Sequence, residues 1–98
     1  MIKYLAEFIG TFVFLTVILK SGTFGNIQPF VIVTGLLAAI FMGGAISGGH
    51  FNPAVSAMMY IQDPSTFSSN DFAGYVAAQL LGAVAALKLH QWSLTKQA

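Results

Sequence analysis

Asn52 followed directly by Pro53 is the pair in this chain best suited to chemistry. An asparagine side chain accepts hydrogen bonds from the first free amides of a helix, and proline belongs at the first helical position. A helix is therefore predicted to start here, with a partial positive charge at its N-terminus from the aligned peptide dipoles. With its oxygen engaged in the cap, Asn52 can turn its NH2 donors toward whatever lies in front of it. A neutral solute oxygen is favoured at such a place, and a cation or proton is disfavoured. The plainer alternative is an asparagine that does no more than cap a buried helix.

The apolar run after Pro53 stops at Gln62-Asp63-Pro64. A helix over 53–61 would be about 13 Å long, roughly half the hydrocarbon thickness of a bilayer. A helix that enters only halfway has a polar end at membrane depth, which survives only when packed in protein or lining a wet cavity. Glu7 is the one carboxylate within an apolar run, and burying it unpaired would be expensive. Its candidate partners are His50 and the free amides of the loop before Asn52. Gly48 and Gly49 permit unusual backbone angles, although a simple tight turn would use them too. The carbonyls of Gly48, Gly49 and His50 are candidate hydrogen-bond acceptors in the same loop. Gln79 is expected to satisfy polar groups between helices. No nucleophile with a base, and no cofactor motif, stands among these residues, so the reading is not an enzyme.

Three apolar segments must position this set, over about 4–20, 30–47 and 72–90. Each is long enough to cross a bilayer, the first only just. The first also has the basic start and short core of a secretory signal peptide, but Ile18-Leu19-Lys20-Ser21 is no small-residue cleavage site. Small residues recur every fourth position: Gly35, Ala39, Gly43 and Ser47 in the second segment, Gly74, Ala78, Gly82 and Ala86 in the third, Ala6 and Gly10 in the first. Such stripes let helix backbones approach closely in lipid. Residues 21–29 and 62–71 read as loops, with Asp63-Pro64 and Ser68-Ser69-Asn70-Asp71 suited to turn and cap. After Leu89 the tail is amphipathic, and Trp92 fits an interfacial anchor.

Composition agrees with this arrangement. Of 98 residues, 56% are hydrophobic and 7% charged, against about 25% charged in an average soluble domain. The expected class is an all-α integral membrane protein, multi-pass, with 1–98 as a single unit. A net charge of +1 gives no reason to invoke nucleic acid. The chain has no cysteine, so no disulfide framework or thiolate metal site is expected. With His50 and His90 far apart in sequence, neither a metal nor a cofactor is expected.

From Ser47 to Val55 the chain resembles the aquaporin, or major intrinsic protein, family, which carries SG-x-H-x-NPAV at the head of a re-entrant half-helix. The resemblance extends to Ala6-Glu7-Phe8-Ile9-Gly10-Thr11 and to Ala78-Gln79-Leu80-Leu81-Gly82-Ala83, in the right order and at the right separations. It implies three spans and one half-helix, which is the first half of a family member. It also implies that Glu7 and His50 brace the loop from behind, that Asn52, Pro53 and Ala54 face a pore, and that the carbonyls of Gly48, Gly49 and His50 are candidate acceptors along it. The electrostatic exclusion of cations suggested above is established for aquaporin-type pores in general. Family pores add a second NPA followed by arginine and a histidine in a later span. This chain has neither. Val55 stands at the position corresponding to the arginine, and the narrow-filter aromatic counts onto Ile32, with Phe30 close by.

Three spans and one half-helix cannot enclose a pore. The family's halves are inverted repeats with the site where they meet, so two copies in opposite orientations could form one pore, and four such pores could cluster. Lys3 lies at one end of the first segment, and Lys20, Lys88 and Lys96 at or beyond the opposite ends. That bias is weak, as dual insertion requires. The expected function is passive permeation of water or a small neutral solute, with membrane lipid and a second copy as partners. The alternative is a non-conducting interaction module, or a truncated half that pairs with a full-length relative.

Overall fold

The computed structural model describes residues 1–96. Among the described residues it holds four α-helices: α1 (Ile2–Ser21), α2 (Gln28–Ser47), α3 (Pro53–Gln62) and α4 (Ser69–Thr95). α1 packs against both α2 and α4, and α3 packs on α4, in a body 50 × 25 × 19 Å.

Residues 21–29, expected as a loop, form a tight reversal instead. A short 3-10 turn over Gly22–Ile27 contains Gly25 at φ 60° and ψ −127°, which only glycine adopts easily. Pro29 then sits in the first turn of α2. Buried Ser21 ties the ends together, donating to the Ile18 carbonyl at 2.7 Å and accepting from Gln28 Nε2 at 3.1 Å.

α1 and α4 run parallel. At one end Asp71 accepts from Lys3 Nζ at 2.9 Å and from Tyr4 Oη at 2.7 Å. At the other, Lys20 Nζ donates to Ser93 Oγ at 2.6 Å. Ser68 caps α4 by accepting from the Asp71 amide. α4 continues to Thr95, past the expected end near residue 90, because the tail contains no glycine or proline to stop it. α3 starts midway along α1 and α4, where Pro53 shares a cavity wall with Thr11 and Gln79. It then returns toward the start of α4, where Tyr60 stacks flat on Phe72.

The small-residue stripes are the packing surfaces. Gly35, Ala39, Gly43 and Ser47 are all buried on α2, as are Ala78, Gly82 and Ala86 on α4. A β-carbon at Gly82 would lie 2.8 Å from the Phe8 carbonyl oxygen, so α1 and α4 touch backbone to backbone. Apart from these small residues and the rings of Phe51 and Tyr75, the interior is polar, holding Glu7, Thr11, Ser21, Ser47, Ser56 and Gln79, while Phe30, Phe41, Leu37 and Ile61 stand exposed. Apolar outside and hydrogen-bonded inside is the distribution that hydrocarbon surroundings demand.

Candidate functional site at the Asn52 loop

α2 ends at Gly48, which is left-handed at φ 90° and donates to the Gly44 carbonyl at 2.7 Å. Gly49 follows at φ 69°, and Phe51 takes φ 53°, a region that costs a non-glycine residue about 1–2 kcal/mol. Two contacts hold Phe51 there. Its ring is buried against Gly10, where a β-carbon would fall 2.1 Å from the ring, and its amide donates to Glu7 Oε1 at 2.8 Å. The loop is thereby drawn inward, and Asn52 emerges in extended conformation as the N-cap of α3. Its Oδ1 accepts from the Ala54 amide at 2.8 Å, while the residue itself stays exposed.

Behind the loop, Glu7 is fully buried and faces four donors. Oε2 accepts from Ser47 Oγ at 2.6 Å and the His50 amide at 3.1 Å; Oε1 accepts from the Phe51 amide and from Gln79 Nε2, both at 2.8 Å. A carboxylate has about four acceptor positions, so its capacity is filled without a cation. Of the two partners anticipated for Glu7, the loop amides are the ones that reach it. The His50 imidazole turns away, with Nδ1 2.8 Å from Ser56 Oγ and its ring between Phe67 and Tyr75. Ser56 Oγ also accepts from Gln79 Nε2 at 2.9 Å, so this hydroxyl joins His50 to Gln79. Tyr75 Oη closes the cluster on the Ser47 carbonyl at 2.6 Å.

In front of the loop the accounting is different. Gln79 Oε1 and Thr11 Oγ1 are buried without a partner. The amide of Gln79 cannot be turned over to relieve this, because that would aim its oxygen at Glu7 Oε1. Both residues line a cavity of about 430 Å³ between α1 and α4 that opens at Asn52 and Pro53.

The sequence model of the Major intrinsic protein family matches residues 1–97. This chain belongs to the major intrinsic protein family. It is 42% identical over 91 residues to glycerol uptake facilitator protein-like 6 of Lactiplantibacillus plantarum, covering 86% of this chain and 40% of that protein. It is 39% identical over 84 residues to the aquaglyceroporin of Toxoplasma gondii, covering 82% and 31%. Against human aquaporin-9 the identity is 36% over 89 residues, covering 81% and 30%. The chain thus spans less than half the length of these curated relatives. No solved structure matches it. Like other family members it is a multi-pass integral membrane protein, in keeping with its long apolar helices.

Within this family frame, Gly48, Asn52, Pro53 and Ala54 are exposed, and Gly49, His50 and Val55 are half-buried. Ile32 is half-buried on α2, two residues from Phe30, which lines a separate apolar groove with Val17 and Gly35. Glu7 and Gln79 meet each other behind the loop; His50 reaches Glu7 through its backbone amide, and its ring joins them only through Ser56. Four participants escaped the sequence reading: Thr11, Ser47, Ser56 and Tyr75. Helical spacing offered a signal for one of them, since Tyr75 lies four residues before Gln79 on one face of α4.

Proposed function

We propose that this chain is one half of a membrane pore for water or a small neutral solute, completed by a second copy inserted in the opposite orientation. In this reading α1, α2 and α4 span the bilayer and α3 is a re-entrant half-helix, about 15 Å long against ~30 Å of hydrocarbon. The observation that carries it is the exposed Asn52, braced from behind by the Glu7 cluster and facing open space at the N-terminus of α3. Two unpartnered buried polar atoms, on residues that line the neighbouring cavity, add to this, since buried polar groups normally find partners. Asn52 and the carbonyls of Gly48, Gly49 and His50 would line the path, with Val55 and Ile32 near its constrictions. Two positive helix ends facing each other at mid-membrane would admit neutral hydrogen-bonding molecules and oppose cations. The names of the relatives make glycerol a solute to try beside water. Family members are channels, and this chain is read as no enzyme.

The competing reading, a half that pairs with a longer relative, draws on the short coverage of those relatives. Vesicles containing only this purified chain separate the two. Faster osmotic shrinkage than empty vesicles, for water or glycerol, is the expected result; permeability equal to empty vesicles overturns the self-completed pore. Single cysteines placed in the 65–69 loop test orientation. Labelling from both sides of the membrane is expected, and labelling from one side alone removes the antiparallel pair.

A further inference from the structure

The two ends of the molecule carry charge very differently. The chain has three acidic side chains. Glu7 is buried in the loop cluster, and Asp63 and Asp71 lie at the end where α1 and α4 begin. Lys3, at that same end, is neutralised by Asp71 at 2.9 Å. The opposite end carries Lys20, Lys88 and Lys96 and no acidic side chain.

Those three lysines are organised. Lys88, Trp92 and Lys96 follow at four-residue intervals, which places them in one row along the last two turns of α4. Lys96 Nζ lies 5.6 Å from the centre of the Trp92 ring, and Trp92 is 58% exposed. Lys20 reaches across from α1 to Ser93 Oγ, so its ammonium is held at the level of that row by a neutral hydroxyl and makes no ion pair among the described residues. α4 is 27 residues long. At about 40 Å it exceeds the ~30 Å hydrocarbon by roughly 10 Å, whereas the 20 residues of α1 just match it. The overhang is the length of the Lys88–Thr95 segment, which therefore stands among headgroups.

We propose that this end is a binding site for the phosphate of anionic phospholipids, formed by Lys20, Lys88 and Lys96 with Trp92 seated at the level of the lipid carbonyls. Charge complementarity selects the occupant: three ammonium groups without an acidic side chain attract an anionic headgroup, and tryptophan anchors the patch at the interface. Hydrogen bonding of Lys20 to Ser93 presets part of the geometry, so less side-chain freedom is lost when lipid binds. The patch does not depend on the pore reading. In an antiparallel pair each leaflet receives one such patch, and in a single orientation one leaflet receives it.

Trp92 is the only tryptophan in the chain and is its own reporter. The full chain is reconstituted in phosphatidylcholine vesicles holding a minority of lipid brominated near the carbonyl end of its acyl chains. That lipid is either phosphatidylglycerol or phosphatidylcholine. Roughly threefold stronger quenching by the brominated phosphatidylglycerol is expected. K20Q/K88Q/K96Q should bring the two lipids to parity, K20R/K88R/K96R should keep the preference, and K3Q at the other end should leave it unchanged. Parity in the wild type overturns the site, and so does a preference that survives in the triple glutamine variant. Inorganic phosphate should not displace the lipid beyond what chloride of equal ionic strength does; selective displacement would assign the patch to a soluble anion and overturn the lipid. If the triple variant fails to fold, K88Q alone should lower the preference, and an undiminished one overturns the site.

Discussion

The two faces of the Asn52 loop differ in how completely their polar groups are satisfied. Behind it, Glu7 accepts four hydrogen bonds, and Ser47, Ser56, His50 and Tyr75 each find a partner. In front of it, Asn52 is exposed and two buried atoms have no partner. Gln79 belongs to both faces: its NH2 group is doubly bonded behind the loop and its oxygen is unpaired in front. The rear face explains how a short chain holds a polar loop among apolar helices. The front face is the side that assembly or solute would complete, and the difference between them can be tested.

The largest expected effect lies behind the loop. Glu7→Ala removes the acceptor for two backbone amides, Ser47 Oγ and Gln79 Nε2. Stranding each buried donor costs about 1–3 kcal/mol, so the variant should lose about 3 kcal/mol or more, read from chemical unfolding in detergent. A melting curve that overlays wild type would mean that the amides find other acceptors and that the rear face is not the brace. Next comes the close approach that seats the cluster. Gly82→Val puts a side chain where even a β-carbon would lie 2.8 Å from the Phe8 carbonyl, and backbone cannot step aside cheaply. A loss of about 1–3 kcal/mol is expected, and an unchanged midpoint would deny the backbone contact.

Substitutions in front of the loop should touch function more than stability. Asn52→Asp keeps the cap and nearly the same shape, so the fold should change by a few tenths of a kcal/mol at most. Sodium and proton leak in vesicles should rise where the new carboxylate is ionised, and the assay therefore covers a range of pH. Unchanged leak at every pH, with water flux intact, would take Asn52 out of the pore. Thr11→Val removes an unpaired hydroxyl without altering volume. Stability of the isolated chain should hold, while self-association weakens if a second copy supplies the missing partner; equal association would leave the cavity without that role.

The smallest effect is expected far from both faces, at the Lys3–Asp71 pair. The Lys3 ammonium, aided by the Tyr4 hydroxyl, holds the Asp71 carboxyl below its usual 3.8. A depressed carboxyl contributes stability above its ordinary value and loses it as pH falls through the lowered one. Asp71→Asn should therefore flatten the acid limb of stability and leave neutral pH nearly unaffected. An acid limb identical to wild type would assign that limb to other groups.

The starts of two helices could be read from this sequence because they depend on local facts. Asn-Pro starts a helix by its own chemistry, Ser68 and Asp71 cap one, and small residues at every fourth place make a packing stripe whatever the partner is. Membership of a family was legible for the same reason, in three linked motifs. Two local misreadings have local causes. Gly25 turned an expected loop into a tight reversal, and an unbroken tail carried α4 to Thr95. What the sequence alone left open was who satisfies whom. Glu7 had several candidate donors, and only the packing of α1 against α2 and α4 decided that the His50 amide reaches it while the His50 ring goes to Ser56. The unpaired oxygen of Gln79 was equally hidden. A hydrogen bond is a relation across tens of residues, and its geometry exists only after the backbones have met.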